Sequence, residues 1–361
     1  MKTSQIKKLF FLLALITCSL AINAQQTKLL TAEKHNEYGL IYTLPITAFQ
    51  VEVVAVKEIK IAGPFSKYSK LFTADSKVIV EDKINWTIES VRITPYGIPD
   101  SENRYLMQLK AGATTYIGVA DDGMLLSINK EPVFSSPEAL NVSSIEGIPV
   151  SGKEYLEYVN EDFTSAQSSY KQAQLLAEEL QEIRDAKLSL TRGTAETMPT
   201  DGRQLEIMLE SLDKQEKSLM NAFIGASWKE RVVRTFSLIP QKEGRTVVCR
   251  FSVTEGIVDA DDYSGEPVYL TVNVIEEPEL PVDAKGEEKK IPKDAVIYCI
   301  PGTAELSLSY MDNPLFSKVY QLSQFGILFG LNPSVFTDKK EPSYAIFDST
   351  TGALKELGTL K

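Results

Sequence analysis

The chain has 361 residues, 43% of them hydrophobic, with 49 acidic against 38 basic residues and a formal net charge of −11. That length and apolar content suffice for two or three packed units, while the acidic balance repels nucleic acid and anionic lipid, which need Lys/Arg patches. Histidine occurs once, at His35 in a polar segment, so imidazole-based triads and zinc sites lack the residues they need.

The first 24 residues have the layout of a secretory signal peptide. Lys2, Lys7 and Lys8 precede the apolar run from Leu9 to Ile16, and Ala21-Ile22-Asn23-Ala24 supplies small residues before Gln25. Leu15-Ile16-Thr17-Cys18 is a faint lipoprotein-type site. Thr17 is a poor fit there and apolar residues continue past the cysteine, so soluble release is favoured over lipid anchoring through Cys18. Without the leader the chain keeps 35 basic and 49 acidic residues, a formal charge of −14. The expected address is outside the cytosol, in the periplasm or at the cell surface, with no transmembrane segment in the mature chain.

Residues 25–150 read as a β-rich domain. Period-two patterning runs from Phe49-Gln50-Val51-Glu52-Val53 through Ile59-Lys60-Ile61, predicting one or two strands. Further strands are predicted at 77–81, 86–94, 105–109, 116–119 and 125–128. Turn signals at Gly63-Pro64, Pro95-Tyr96-Gly97, Pro99-Asp100 and Asp121-Asp122-Gly123 separate them, and 65–72 reads as one short helix. Residues 151–228 then change period. Apolar or small residues at Ala166, Tyr170, Ala173, Ala177, Leu180, Ile183 and Leu190 recur at helical spacing, with Gly193 as a stop. A second helix carries Leu205, Leu209, Leu212, Leu219 and Phe223, starts at Asp201 with Gln204 three residues on, and ends at Gly225. The short polar link between them predicts an antiparallel hairpin.

Residues 229–361 return to strands, predicted at 232–239, 246–254, 268–275, 295–300 and 304–310, with a final hairpin of 344–347 and 353–357. Residues 276–293, rich in Pro, Glu and Lys, read as a loop, and 315–329 as a short helix with Val319, Leu322, Phe325 and Phe329. The expected fold class is α+β: two β-rich, sandwich-like domains with an intervening antiparallel helical hairpin.

Few residues point to chemistry. Asp259, Asp261, Asp262 and Glu266 crowd one segment and make a calcium candidate, but Gly265 falls at position seven, outside the twelve-residue calcium loop pattern. A solvated hairpin tip is the competing reading. Cys249 and Cys299 could bridge in an oxidising compartment, yet both sit in strand-like runs where a free cysteine acts as a small hydrophobe, the favoured reading. Gly147-Ile148-Pro149-Val150-Ser151-Gly152-Lys153 matches most of a phosphate loop. It fails where Glu154 replaces the magnesium-binding Ser/Thr and is read as a loop between domains. Asp348-Ser349-Thr350 reads either as a turn or as a short signal for O-linked sugar attachment. No catalytic, cofactor or firm metal residue is assigned.

Several short motifs carry a resemblance. They are Tyr42-Thr43-Leu44-Pro45, Gly63-Pro64-Phe65 with Tyr68, Ile98-Pro99-Asp100, Phe223-Ile224-Gly225, Arg250-Phe251-Ser252 with Gly256, Ile300-Pro301-Gly302 and Gln324-Phe325-Gly326. Together the chain resembles an uncharacterised exported protein family of gut Bacteroides and relatives, known only as a domain of unknown function. The resemblance implies a Gram-negative envelope address and no catalytic residue or ligand. The expected role is a non-enzymatic envelope protein acting as a binding or structural module. Its partner would be another envelope protein or a glycan, or a second copy through the hairpin. The alternative is a carbohydrate-binding or glycoside-hydrolysing protein using a carboxylate pair.

Overall fold

Two long antiparallel strands organise the chain in the computed structural model, which describes residues 39–73, 77–108, 116–132, 145–292, 295–338 and 341–360. The leader, Cys18 and His35 lie outside the described residues. Strand β1, Gly39–Ile61, pairs along its length with β2, Lys83–Gln108. The turn signals at Pro95-Tyr96-Gly97 and Pro99-Asp100 therefore lie inside one strand. β2 is the outer strand of its sheet, where a proline removes no hydrogen bond from a second neighbour. Residues 77–81 are not a strand; Ile79 instead donates its N–H to Ile224 O.

The remaining strands are β3 Ile117–Val119, β4 Leu125–Ile128, β5 Ile145–Glu146, β6 Ala226–Leu238, β7 Gly244–Ser252, β8 Gly256–Val258, β9 Glu266–Glu276, β10 Val296–Tyr310, β11 Asn313–Leu331, β12 Ser343–Phe347 and β13 Leu354–Thr359. They form three antiparallel sheets, β2-β1-β6-β5, β11-β10-β9-β7-β8 and β13-β12-β4-β3. The chain is thus mostly β, in antiparallel sheets, with few helices. The helix expected at 315–329 is strand β11. Its aromatic and β-branched side chains suit a pleated surface; Leu322 faces the core and Val319 the solvent, and residues 323–326 bulge opposite Pro301 before the pairing with β10 resumes.

The first two sheets face each other. Phe49, Val51, Val53 and Ala55 of β1 alternate into a core with Cys249, Phe251, Val268, Leu270, Leu306, Leu308 and Leu322. Hydrogen bonds tie both sides of this sandwich: Trp86 N–H to Val253 O at 3.0 Å, and Tyr320 hydroxyl to Ile93 O at 3.1 Å. A second core takes Tyr42 and Leu44 from β1, Met107 from β2, Val296 from β10, and Leu125, Ile128, Ala345 and Phe347 from the third sheet. Tyr42 locks it, donating its hydroxyl to Ile297 O and accepting Ile297 N–H. The sheets do not follow the divisions expected at 150 and 228. β1 pairs with β6 and β4 with β12, so segments far apart in sequence share each β core.

Two long helices, α1 Ser169–Arg192 and α2 Gly202–Ile224, lie antiparallel, with Arg184 on Glu216 at 2.8 Å and Lys187 on both Glu216 and Asp213. Their ends are where the caps place them. Ser168 accepts Lys171 N–H, Asp201 accepts Gln204 N–H, and Gly193 and Gly225 terminate the runs. Among the described residues, no helix is long and apolar enough to cross a membrane.

Candidate functional site

The motifs singled out in the sequence meet in pairs, and three of the meetings are joints between cores. Pro45 pairs with Pro99 beside a bulge, where β1 and β2 pass from the first core to the second. Ile300-Pro301-Gly302 faces Gln324-Phe325-Gly326, where β10 and β11 make the same passage. A Cβ on Gly302 would sit 2.2 Å from Phe325 O, and one on Gly326 2.4 Å from Ile300 O, so only glycine permits this approach. Gly63-Pro64-Phe65 meets the end of α2, with Phe65 N–H donated to Ala222 O at 2.9 Å. Gly256 lies under the Trp86 ring. These residues build the fold.

The acidic segment does not assemble a cation site. Asp259, Asp261, Asp262 and Glu266 are all exposed around the turn from β8 to β9. Asp259 pairs with the Arg234 guanidinium at 2.8 Å. Asp262 accepts Ser264 N–H, and hydrogen bonds from Ser264 hold its carboxyl below the ordinary range. Among the described residues, no three His, Cys, Asp or Glu side chains are placed to hold a metal.

Cys249 and Cys299 are free and separately buried, so the bridge considered from the sequence is not made. Burial pushes both thiols up to about 12, which leaves them unreactive at neutral pH. Cys249 belongs to the sandwich core, while Cys299 takes its N–H to Gly352 O beside the joint. The glycine loop at 147–153 leads from the two-residue β5 into a short 3₁₀ turn, Glu154–Tyr158. The Glu154 carboxylate itself accepts Ser151 N–H, filling the place an anion would need.

Asp348-Ser349-Thr350 forms a tight turn. Asp348 accepts Thr350 N–H at 2.7 Å and Thr351 N–H at 3.0 Å, and pairs with Lys355 at 2.6 Å. Burial alone would raise its pKa; the Lys355 ammonium and the Thr350 and Thr351 donors outweigh that and hold it at about 2.

One pocket joins two carboxylates, Glu58 and Glu89, with Asn85, Thr87 and Lys229 on the outer face of the first sheet, in about 230 Å³. Glu89 is the extra residue of a bulge in β2 and receives a two-point contact from Arg231, at 2.8 and 3.0 Å. Hydrogen bonds from Arg231 keep Glu89 more acidic than usual, opposite to what a glycosidic acid needs.

The largest of the described pockets was not foreseen from sequence. It is a groove of about 560 Å³ between the far ends of α1 and α2. Ala186, Ser189 and Leu190 line one side, Met208, Ser211 and Leu212 the other, and residues 194–197 close the end. The ion pairs of Arg184 and Lys187 with Asp213 and Glu216 lie beside it towards the base of the helices, where Leu176, Leu180, Leu219 and Phe223 pack with Phe65 and Phe163; Leu212 belongs to both, lining the groove and packing against that core. Residues 202–214 contain no buried side chain, so this end stands clear of the body as an arm. Ile207 and Met208, off the Leu205/Leu209/Leu212 stripe, are 52% and 42% exposed. Apolar residues off the stripe were the available signal.

No curated protein and no solved structure matches the chain. A family model does match, over residues 38–355, beginning one residue before β1 and ending inside β13. With that span, the chain belongs to the DUF4831 family, described as a domain of unknown function.

Proposed function

We propose that this protein is a non-enzymatic, exported envelope protein that binds another envelope protein through its helical arm. The carrying observation is the arm itself: two capped helices anchored at one end only, with apolar side chains exposed at the other. Export is supported by the leader-type sequence of residues 1–24. A solvated helix pair has no need of Ile207, Met208, Leu188 and Met198 on its surface, whereas apolar side chains gathered on one exposed element suit an interaction site.

A photo-crosslinking residue at position 207, compared with one at exposed Val319 on β11, tests the reading in the native host. A discrete adduct from 207 and none from 319 is the expected result. No adduct from 207, or the same adducts from both positions, overturns it. Intact mass of the product checks export separately, since a cytoplasmic product retaining Met1 removes that part.

A further inference from the structure

We infer that the groove at the tip of the arm receives an aliphatic side chain from a positively charged helix of the partner protein. This rests on the arm being the docking element and adds the chemistry of what it takes. The groove has the volume of a binding pocket and a floor of small side chains, Ala186, Ser189, Ala195 and Ser211, between the taller walls of Leu190, Leu212 and Met208. That profile admits an aliphatic knob between two helices, the way an amphipathic helix seats in a groove. Met208 adds an adaptable, polarisable wall.

Charge chooses among occupants. The groove's lining contains one charged side chain, Glu196, and it is acidic, as is the chain as a whole at −11. A second copy would bring Glu196 and the same acidic surface against themselves, which like-charge repulsion disfavours. A helix carrying Lys or Arg beside its apolar anchor complements the rim and is steered towards it.

Two synthetic amphipathic peptides of equal length, one of Leu and Lys and one of Leu and Glu, serve as probes. Each is titrated calorimetrically into the full chain and into Ser189→Trp and Ser211→Trp, which fill the groove from opposite sides. Ser211 is exposed and Ser189 half-buried, and circular dichroism checks that both variants fold. The Leu/Lys peptide is expected to bind, to weaken at least about tenfold in both variants, and to weaken further with salt; the Leu/Glu peptide is expected not to bind. Equal binding of Leu/Lys to the filled variants means surface charge attraction alone and overturns the inference. So does equal binding of both peptides, no binding of either, or a concentration-dependent dimer that Ser211→Trp abolishes. If crosslinks from position 207 persist in Ser211→Trp cells, the arm remains the docking element and only the groove assignment falls.

Discussion

Thr47 shows how a single polar residue fixes the joint between the two β cores. It is fully buried; its hydroxyl donates to Thr350 O at 3.0 Å and accepts Ser323 N–H at 3.1 Å. The Gln324 side-chain amide completes the cluster, donating to Thr47 O and Pro240 O. Thr47→Val keeps the shape but orphans Thr350 O and Ser323 N–H. Each buried unpaired group costs about 1–3 kcal/mol, so the variant should lose roughly 2–6 kcal/mol in urea unfolding with an unchanged slope. Asp348, in the adjoining turn, makes the joint sensitive to acid. Its folded pKa of about 2 lies below an unfolded value near 3.9, so the stabilisation is present above that value and is lost as pH falls through about 2. Asp348→Asn should be less stable than wild type by roughly 2 kcal/mol at neutral pH, and the gap should close as the pH approaches 2. A constant gap from neutral to acid pH would show that the charge is not the source.

The helical arm and the long strands differ in how openly their sequences declare them. Asp201, Gly193 and Gly225 mark helix ends by cap chemistry that depends only on neighbouring residues, and the structure ends the helices there; the start of α1, capped by Ser168, lies past Ala166, where the expected stripe begins. Strand β11 depends on its hairpin partner: β10 sets its register, and residues 323–326 bulge opposite Pro301, so its apolar spacing alone imitates a helix. The turn joining them hides as well, because Met311 and Asp312 adopt positive φ, 48° and 62°, without a glycine to announce it. The groove is hidden because Leu190 and Leu212 read as members of the hairpin's shared apolar stripe, which periodicity takes to be covered, while Met208 stands off it. Along the arm, packing should grade from base to tip. Leu219, fully buried at the base, should cost roughly 2–5 kcal/mol as Leu219→Ala, whereas half-buried Leu209→Ala should cost about 1 kcal/mol. Equal losses in chemical denaturation would mean that the tip is packed as the base is.

The two β cores cannot be cut apart along the chain. β1 contributes Phe49, Val51 and Val53 to the first core and Tyr42 and Leu44 to the second, and β10 likewise supplies Leu306 to one and Val296 to the other. Local period-two patterning identifies such strands, but it carries no information on which distant strand each will meet; division by composition at the helical segment was therefore the natural reading. The energetic consequence is cooperativity. A fragment of residues 229–361 would expose the inner faces of β9, β10 and β11, whose partners in the first core are Phe49, Val51, Val53 and Ala55 of β1. It would also lose the β1 strand that pairs with β6 from Phe49↔Leu238 to Ile61↔Ala226. Burial of apolar surface is worth about 25 cal/mol per Å², so exposing about 600 Å² of a sheet's inner face already matches the ~5–15 kcal/mol by which a domain is stable. Expressed alone, 229–361 should lack a cooperative thermal transition, and residues 25–361 should unfold in one transition seen alike by tryptophan fluorescence and far-ultraviolet circular dichroism. A folded 229–361 fragment would require the first core to close without β1, and the interleaving of strands would then not be what holds the molecule together.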